Sequence, residues 1–136
     1  MKLLLLFAHD YWLKPYEKSL ADAPDASHEL ACTEAVLALV HVEAHDPERQ
    51  SRLVTKAIKN IKWLAGKFGT RNVVLHSFAH LASTRAEPVQ AEAILSAMRE
   101  RLGGAEFQVQ STPFGYFNEF RAHVAGPSLA KVFVEL

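Results

Sequence analysis

Cysteine is nearly absent from this chain: Cys32 stands alone among 136 residues, so no disulfide can form within it. A single thiol fits a reducing cytosol, and Cys32 reads as a small core or loop residue. Neither sign of charge is in excess. Fifteen basic and fifteen acidic side chains cancel, which argues against a strongly basic nucleic-acid coat but leaves room for one local basic face. No apolar run approaches a membrane span. The opening MKLLLLFA is too short for a signal peptide and is broken by His9 and Asp10 before any small-residue cleavage site. Several chemistries lack their signatures too. There is no glycine-rich phosphate loop, no dinucleotide fingerprint, no GxSxG nucleophile elbow and no HExxH metal helix. Among seven histidines, His41 with His45 and His76 with His80 are spaced by four. Both pairs fall on strands or strand ends, where four residues span about 13 Å, so no metal site is expected. No cofactor is expected either.

What is present is enough for one ordinary globular domain over residues 1–136, with 49% hydrophobic and 22% charged residues. The stretch Asn72–Ser83, NVVLHSFAHLAS, is the most informative. Val73, Val74 and Leu75 read as a buried central strand, and His76, Ser77, His80 and Ser83 crowd its carboxyl end. That end of an open α/β sheet is where ligands usually bind, so the pattern predicts a pocket, against the plainer reading of a satisfied loop.

Lys2–Ala8 is a continuous apolar run and reads as a first strand. His9-Asp10-Tyr11-Trp12 then forms a second polar mouth, which makes His9 and Asp10 substrate-binding candidates. Residues 13–33, with Pro15 and Pro24, read as a loop excursion, and Glu34–Glu43 as a second strand interrupted by His41. Asp46-Pro47 opens a long amphipathic helix, with Asp46 as its cap, that Gly69 stops after Phe68. Glu87-Pro88 opens a second helix with a buried stripe of Ala91, Ile94, Leu95, Met98 and Leu102, ended by Gly103-Gly104. Ala105–Gln110 is a short strand, Thr112–Tyr116 an aromatic turn, and Phe117–Ala125 an alternating strand. Ser128–Leu136 closes the chain as a helix or a last strand. The order β-β-α-β-α-β-β predicts an α/β fold: a mixed β-sheet with two long helices packed on it.

The first helix carries Arg49, Arg52, Lys56, Lys59 and Lys67 at helical steps, with Trp63 in the same stripe. Such a stripe can track a phosphate backbone, making Arg49, Arg52, Lys56 and Lys59 candidate nucleic-acid contacts, or it can be a solvated face.

Two stretches read together carry a specific resemblance: Ser77–Ser83, SFAHLAS, and Pro113–Phe120, PFGYFNEF, after the opening LLLFAHDY. The chain resembles the archaeal-type editing domain of threonyl-tRNA synthetase, over nearly its whole length. The resemblance implies a D-aminoacyl-tRNA deacylase-like fold and a free-standing aminoacyl-tRNA deacylase. Its reaction is hydrolysis of the ester between a wrong amino acid and the tRNA's 3′-terminal ribose. The wrong amino acid is L-serine on threonine tRNA in the archaeal family, and a D-amino acid in the fold relatives. The tRNA's own 2′-hydroxyl would assist, which agrees with the missing nucleophile signature. Carried over residue by residue, His80 would line the pocket and orient substrate. Ala79 and Val42 would offer backbone atoms, and Phe114, Gly115, Tyr116 and Phe117 would wall the adenosine and the amino acid. Archaeal members carry Lys where this chain has Asn118, an acidic residue where it has Lys131, and a His-Ser-Asp-like sequence where it has Ala8-His9-Asp10. The first two changes read as a relocated cation, which puts Asn118 and Lys131 beside His80 as catalytic candidates. Expected partners are aminoacyl-tRNA, a threonyl-tRNA synthetase in trans and a second copy of the chain, in the cytoplasm. Two other classes stand beside the enzyme: a non-catalytic tRNA-binding or synthetase-associated module, and a hydrolase of small esters unrelated to tRNA.

Overall fold

The computed structural model describes residues 1–136. Its elements are β1 (Lys2–Lys18), β2 (Leu30–His41), α1 (Gln50–Phe68), β3 (Asn72–Ser77), α2 (Pro88–Gly104), β4 (Gln108–Ser111), β5 (Tyr116–Val124) and β6 (Lys131–Glu135). They form one mixed sheet in the order β4-β3-β2-β1-β5, with β6 also paired to β1. The β2–β3 and β3–β4 pairs are parallel; every pair made by β1 is antiparallel. No helix is long and apolar enough to cross a membrane.

Both helices pack on one face of the sheet. Leu53, Ala57, Ile61 and Leu64 of α1 and Ile94, Met98 and Leu102 of α2 bury against Leu3, Leu5, Val36, Ala38, Val73 and Leu75. Each large side chain taken out of water there contributes about 1.5–3 kcal/mol. α1 ends where expected, because Gly69 adopts φ +64° and Thr70 donates to the Ala65 carbonyl at 3.0 Å. Its start differs. Asp46 opens a 3-10 turn (Asp46–Arg49) rather than capping the helix, and its buried carboxylate lies 2.9 Å from the Met1 amino group.

β1 is the main departure from the sequence reading. It does not stop at Ala8 but runs on to Lys18, pairing with β5 from Ala8↔Val124 to Lys18↔Tyr116. Register shifts between Ala8 and Asp10 and between Pro15 and Glu17 mark bulges that bend the strand. Pro15 is tolerated because the pairing with β2 has already ended at Leu13↔Leu30, leaving that edge without a donor to satisfy. The bend folds the second half of β1 and β5 across the sheet face opposite the helices. There Tyr11 and Leu13 cluster with Leu37 and Val74, and the Tyr11 hydroxyl lies 3.1 Å from His76 Nδ1.

Candidate functional site

The parallel strands β2 and β3 end side by side, and the chain leaves them through the segment 78–87 before entering α2. His41, the residue that broke the apolar run of β2, holds that segment. Its ring is buried, and Nδ1 accepts the backbone N–H groups of Leu81 at 2.9 Å and Ala82 at 3.1 Å. Nδ1 therefore carries no proton, so Nε2 does and donates to the Thr84 carbonyl at 2.7 Å. Two further bonds fasten the segment to β2: Phe78 N–H to the Val40 carbonyl at 2.9 Å and Ala86 N–H to the Val42 carbonyl at 3.0 Å.

The opposite wall is the aromatic turn after β4. Gly115 adopts φ +81°, and a Cβ there would meet Ala23 Cβ at 2.9 Å. Its carbonyl accepts Ser19 N–H at 2.8 Å and Leu20 N–H at 3.2 Å. The Tyr116 hydroxyl donates to the Pro24 carbonyl at 2.8 Å and accepts Ala26 N–H at 2.9 Å. The excursion between β1 and β2 is thus tied to the turn, and Ser19 and Leu20 become part of the wall.

Between these walls lies a cleft of about 690 Å³. Of the residues expected at the site, Val42, Ala79, His80, Phe114, Gly115, Tyr116 and Phe117 all line it. Ser77 lines it as well and reaches a smaller neighbouring cavity of about 250 Å³ together with Phe114. The His80 imidazole is exposed and makes no side-chain hydrogen bond, although its ring packs edge-on to Phe78 at 4.8 Å. The Ala79 N–H has no partner within the chain and is available to a ligand.

Other candidates lie away from the cleft. His76 points to the far side of the sheet, against Tyr11 and Phe120. Burial, with the nearby His80 adding to it, pushes its pKa down to about 4, so it is a neutral core residue near pH 7. Burial likewise raises the Tyr11 hydroxyl, and it is the main cause of the raised Cys32 thiol pKa. Ser83 does not reach the cleft, and Ser77 has no histidine partner that would activate it. His9 and Asp10 fall at the first bulge of β1, outside the cleft: His9 bonds Glu34 at 2.9 Å, and Asp10 faces Arg121 at 3.7 Å. The relocated cation is not supported by geometry. Asn118 pairs opposite Pro15 and Lys131 opposite Leu6, nine residues apart on β1. That is on the order of 30 Å along a straight strand. Lys131 Nζ instead donates to the carbonyls of Ala125 at 2.8 Å, Gly126 at 3.2 Å and Pro127 at 3.2 Å. Asn118 donates to the Tyr116 carbonyl at 3.3 Å while its buried Oδ1 has no partner, and neither residue lines the cleft.

Arg49, Arg52, Lys56 and Lys59 are exposed on the 3-10 turn and α1, away from the cleft. Arg49 is 3.4 Å from Asp46, whereas Arg52, Lys56 and Lys59 have no acidic partner. No group of three His, Cys, Asp or Glu side chains converges closely enough to hold a metal. The sequence reading missed Ser19, Leu20, Arg85 and Glu87, all of which line the cleft. The last two had a usable signal, lying five and seven residues beyond His80 and just ahead of a helix start.

Residues 1–136 match the family model described as the archaea-specific editing domain of threonyl-tRNA synthetase. The chain belongs to this family. Among curated relatives it is 32% identical over 135 residues to the threonine–tRNA ligase of Thermococcus onnurineus, with 97% of this chain and 22% of that protein covered. To the threonine–tRNA ligase of Hyperthermus butylicus it is 29% identical over 138 residues, with the same coverage of each. The chain thus spans about a fifth of the length of these relatives. Among solved structures, the c-Myc DNA Unwinding Element Binding Protein superposes with a TM-score of 0.70 at 13% identity, over 100% of this chain and 99% of that one. At that identity the likeness shows the fold alone, and the fold is the D-aminoacyl-tRNA deacylase-like one that the motifs implied.

Proposed function

We propose that this editing-family domain hydrolyses the ester of a mischarged aminoacyl-tRNA, with L-serine on threonine tRNA as its substrate and the tRNA's terminal 2′-hydroxyl assisting. One observation carries this: the cleft gathers residues of the FAHL and PFGY motifs yet contains neither a hydrogen-bonded Ser–His pair nor a cluster of three metal-ligating side chains. Such a site is suited to positioning the ester and polarising it, with the substrate's own hydroxyl assisting proton transfer. A vicinal 2′-hydroxyl on the substrate lies next to the scissile ester and can relay a proton, accepting one from the attacking water as it gives its own to the departing 3′ oxygen. Water adds to the ester carbonyl, the C–O bond to the 3′ oxygen breaks, and the free amino acid and a 3′-hydroxyl leave. The unpaired Ala79 N–H is suited to the developing oxyanion, and Phe114 and Phe117 to stacking on the adenine. His80 is suited to a hydrogen bond with the substrate's polar groups. The basic residues on and before α1 would hold the tRNA body outside the cleft, and a role in translation fits the cytoplasm. A second copy of the chain would cover exposed apolar side chains such as Phe133, which is 52% exposed.

The test is release of amino acid when the purified 136-residue chain is mixed with seryl-tRNA(Thr), threonyl-tRNA(Thr) and a D-aminoacyl-tRNA. Action in trans predicts release of L-serine without an added synthetase. Release from the D-aminoacyl-tRNA alone would move the substrate to the D-amino acid class. The second reading, a non-catalytic tRNA-binding module, is favoured by the absence of Asn118 and Lys131 from the cleft; binding of all three tRNAs without release would establish it.

A further inference from the structure

The cleft contains one arginine, Arg85, and one carboxylate, Glu87, and no ion pair joins them. Four other arginines have partners: Arg49 has Asp46, Arg71 the Ala105 carbonyl, Arg101 the Thr55 hydroxyl and Arg121 Asp10, while Arg52 and Arg99, unbonded like Arg85, do not line this cleft. Arg85 is exposed and has neither a hydrogen bond nor an ion pair. Its backbone is nonetheless fastened on both sides. The Thr84 carbonyl is held by His41 at 2.7 Å, and the Ala86 N–H by the Val42 carbonyl at 3.0 Å. A guanidinium carried on a pinned backbone at the rim of a cleft loses less freedom on binding an anion than one on a loose loop. The start of α2 follows directly, with the Val89 N–H unpaired in its first turn, and adds a positive potential to the same wall.

The substrate class identifies the anion. An aminoacyl ester has no free carboxylate, and its amino group is cationic. The negative charge nearest the ester is the phosphodiester on the 5′ side of the terminal adenosine. We propose that Arg85 binds this phosphodiester and so sets how far the terminal nucleotide enters the cleft. The assignment rests on the deacylase function above and names the group that anchors its substrate. A guanidinium matches two phosphate oxygens in a planar fork, which an ammonium does not.

Two amide-linked, non-hydrolysable ligands test it: 3′-deoxy-3′-(L-serylamino)adenosine and the same compound bearing a 5′-phosphate methyl ester. Calorimetry on the wild-type chain should show the phosphorylated compound binding roughly ten- to a hundredfold tighter. Arg85→Gln should abolish that preference while leaving affinity for the unphosphorylated compound unchanged, and Arg85→Lys should retain part of it. Because Arg85 is exposed and unbonded, the melting temperature of Arg85→Gln should match wild type. Equal wild-type affinity for both compounds, or a preference that survives in Arg85→Gln, overturns the role of Arg85 and leaves the deacylase function standing. Failure of wild type to bind either compound overturns both.

Discussion

His41 and His76 sit on neighbouring strands and were equally visible as polar interruptions of apolar runs, yet they face opposite tasks. His41 uses both nitrogens on the backbone of the segment that carries Ala79 and His80. His76 uses one nitrogen on Tyr11 inside the core. The pattern of residues showed that something polar happened at the strand ends, but strand alternation alone could not say that His76 turns to the face covered by β5. His76 has a consequence for stability. Its folded-state pKa of about 4 lies below the ordinary 6.5, so the unfolded chain binds the proton more readily. Its contribution is therefore fully present above pH 6.5 and is lost as the pH falls towards 4, by roughly 3 kcal/mol in all. Urea denaturation from pH 7 to pH 4 should show this loss, and the double substitution Tyr11→Phe with His76→Phe, which removes the titrating ring and the orphaned hydroxyl together, should lessen it by about that amount. An unchanged pH dependence in the double variant would show that His76 is not the responsible group.

At the scale of elements, the parts with one dominant period were legible and the bent part was not. The apolar spacing of α1 and α2, the glycine after Phe68 and the turn at Pro113–Gly115 all lie where local chemistry puts them. The second half of β1 is hidden from the sequence, because its bulges at His9 and Tyr16 and its proline imitate a strand end. With the strand cut short, His9 and Asp10 resemble a mouth, whereas Ser19 and Leu20, in the loop that follows Lys18, line the cleft itself. Lys131 and Asn118 are separated for a related reason: strands that share one long neighbour need not lie near each other along it. α1 raises a separate question, since Gln50–Phe68 contains five basic residues and no acidic one. If this face holds tRNA, Lys56→Glu with Lys59→Glu should weaken tRNA binding and reduce the steepness of its salt dependence by up to about 0.9 per lost phosphate contact. Because both side chains are exposed, folding should be unaffected. Unchanged affinity and salt slope would make the stripe a solvated face.

Across the whole molecule, the cleft is assembled from the ends of β2 and β3, the entry to α2, the turn before β5 and the excursion after β1, segments remote in sequence. Its motifs announced themselves, but its outline did not, because the sheet's curl brings β5 and the excursion over the ends of β2 and β3. Under the proposed function, such a site would hold an RNA end rather than attack it with a side chain of its own. The most direct test compares L-serine release from two threonine tRNAs charged at the 3′ position, one ending in adenosine and one in 2′-deoxyadenosine, with Ser77→Ala assayed alongside. Loss of the 2′-hydroxyl should slow release by at least about a hundredfold, the usual worth of a positioned acid–base group, while Ser77→Ala should cost less than about tenfold. Equal rates on the two tRNAs would contradict the account.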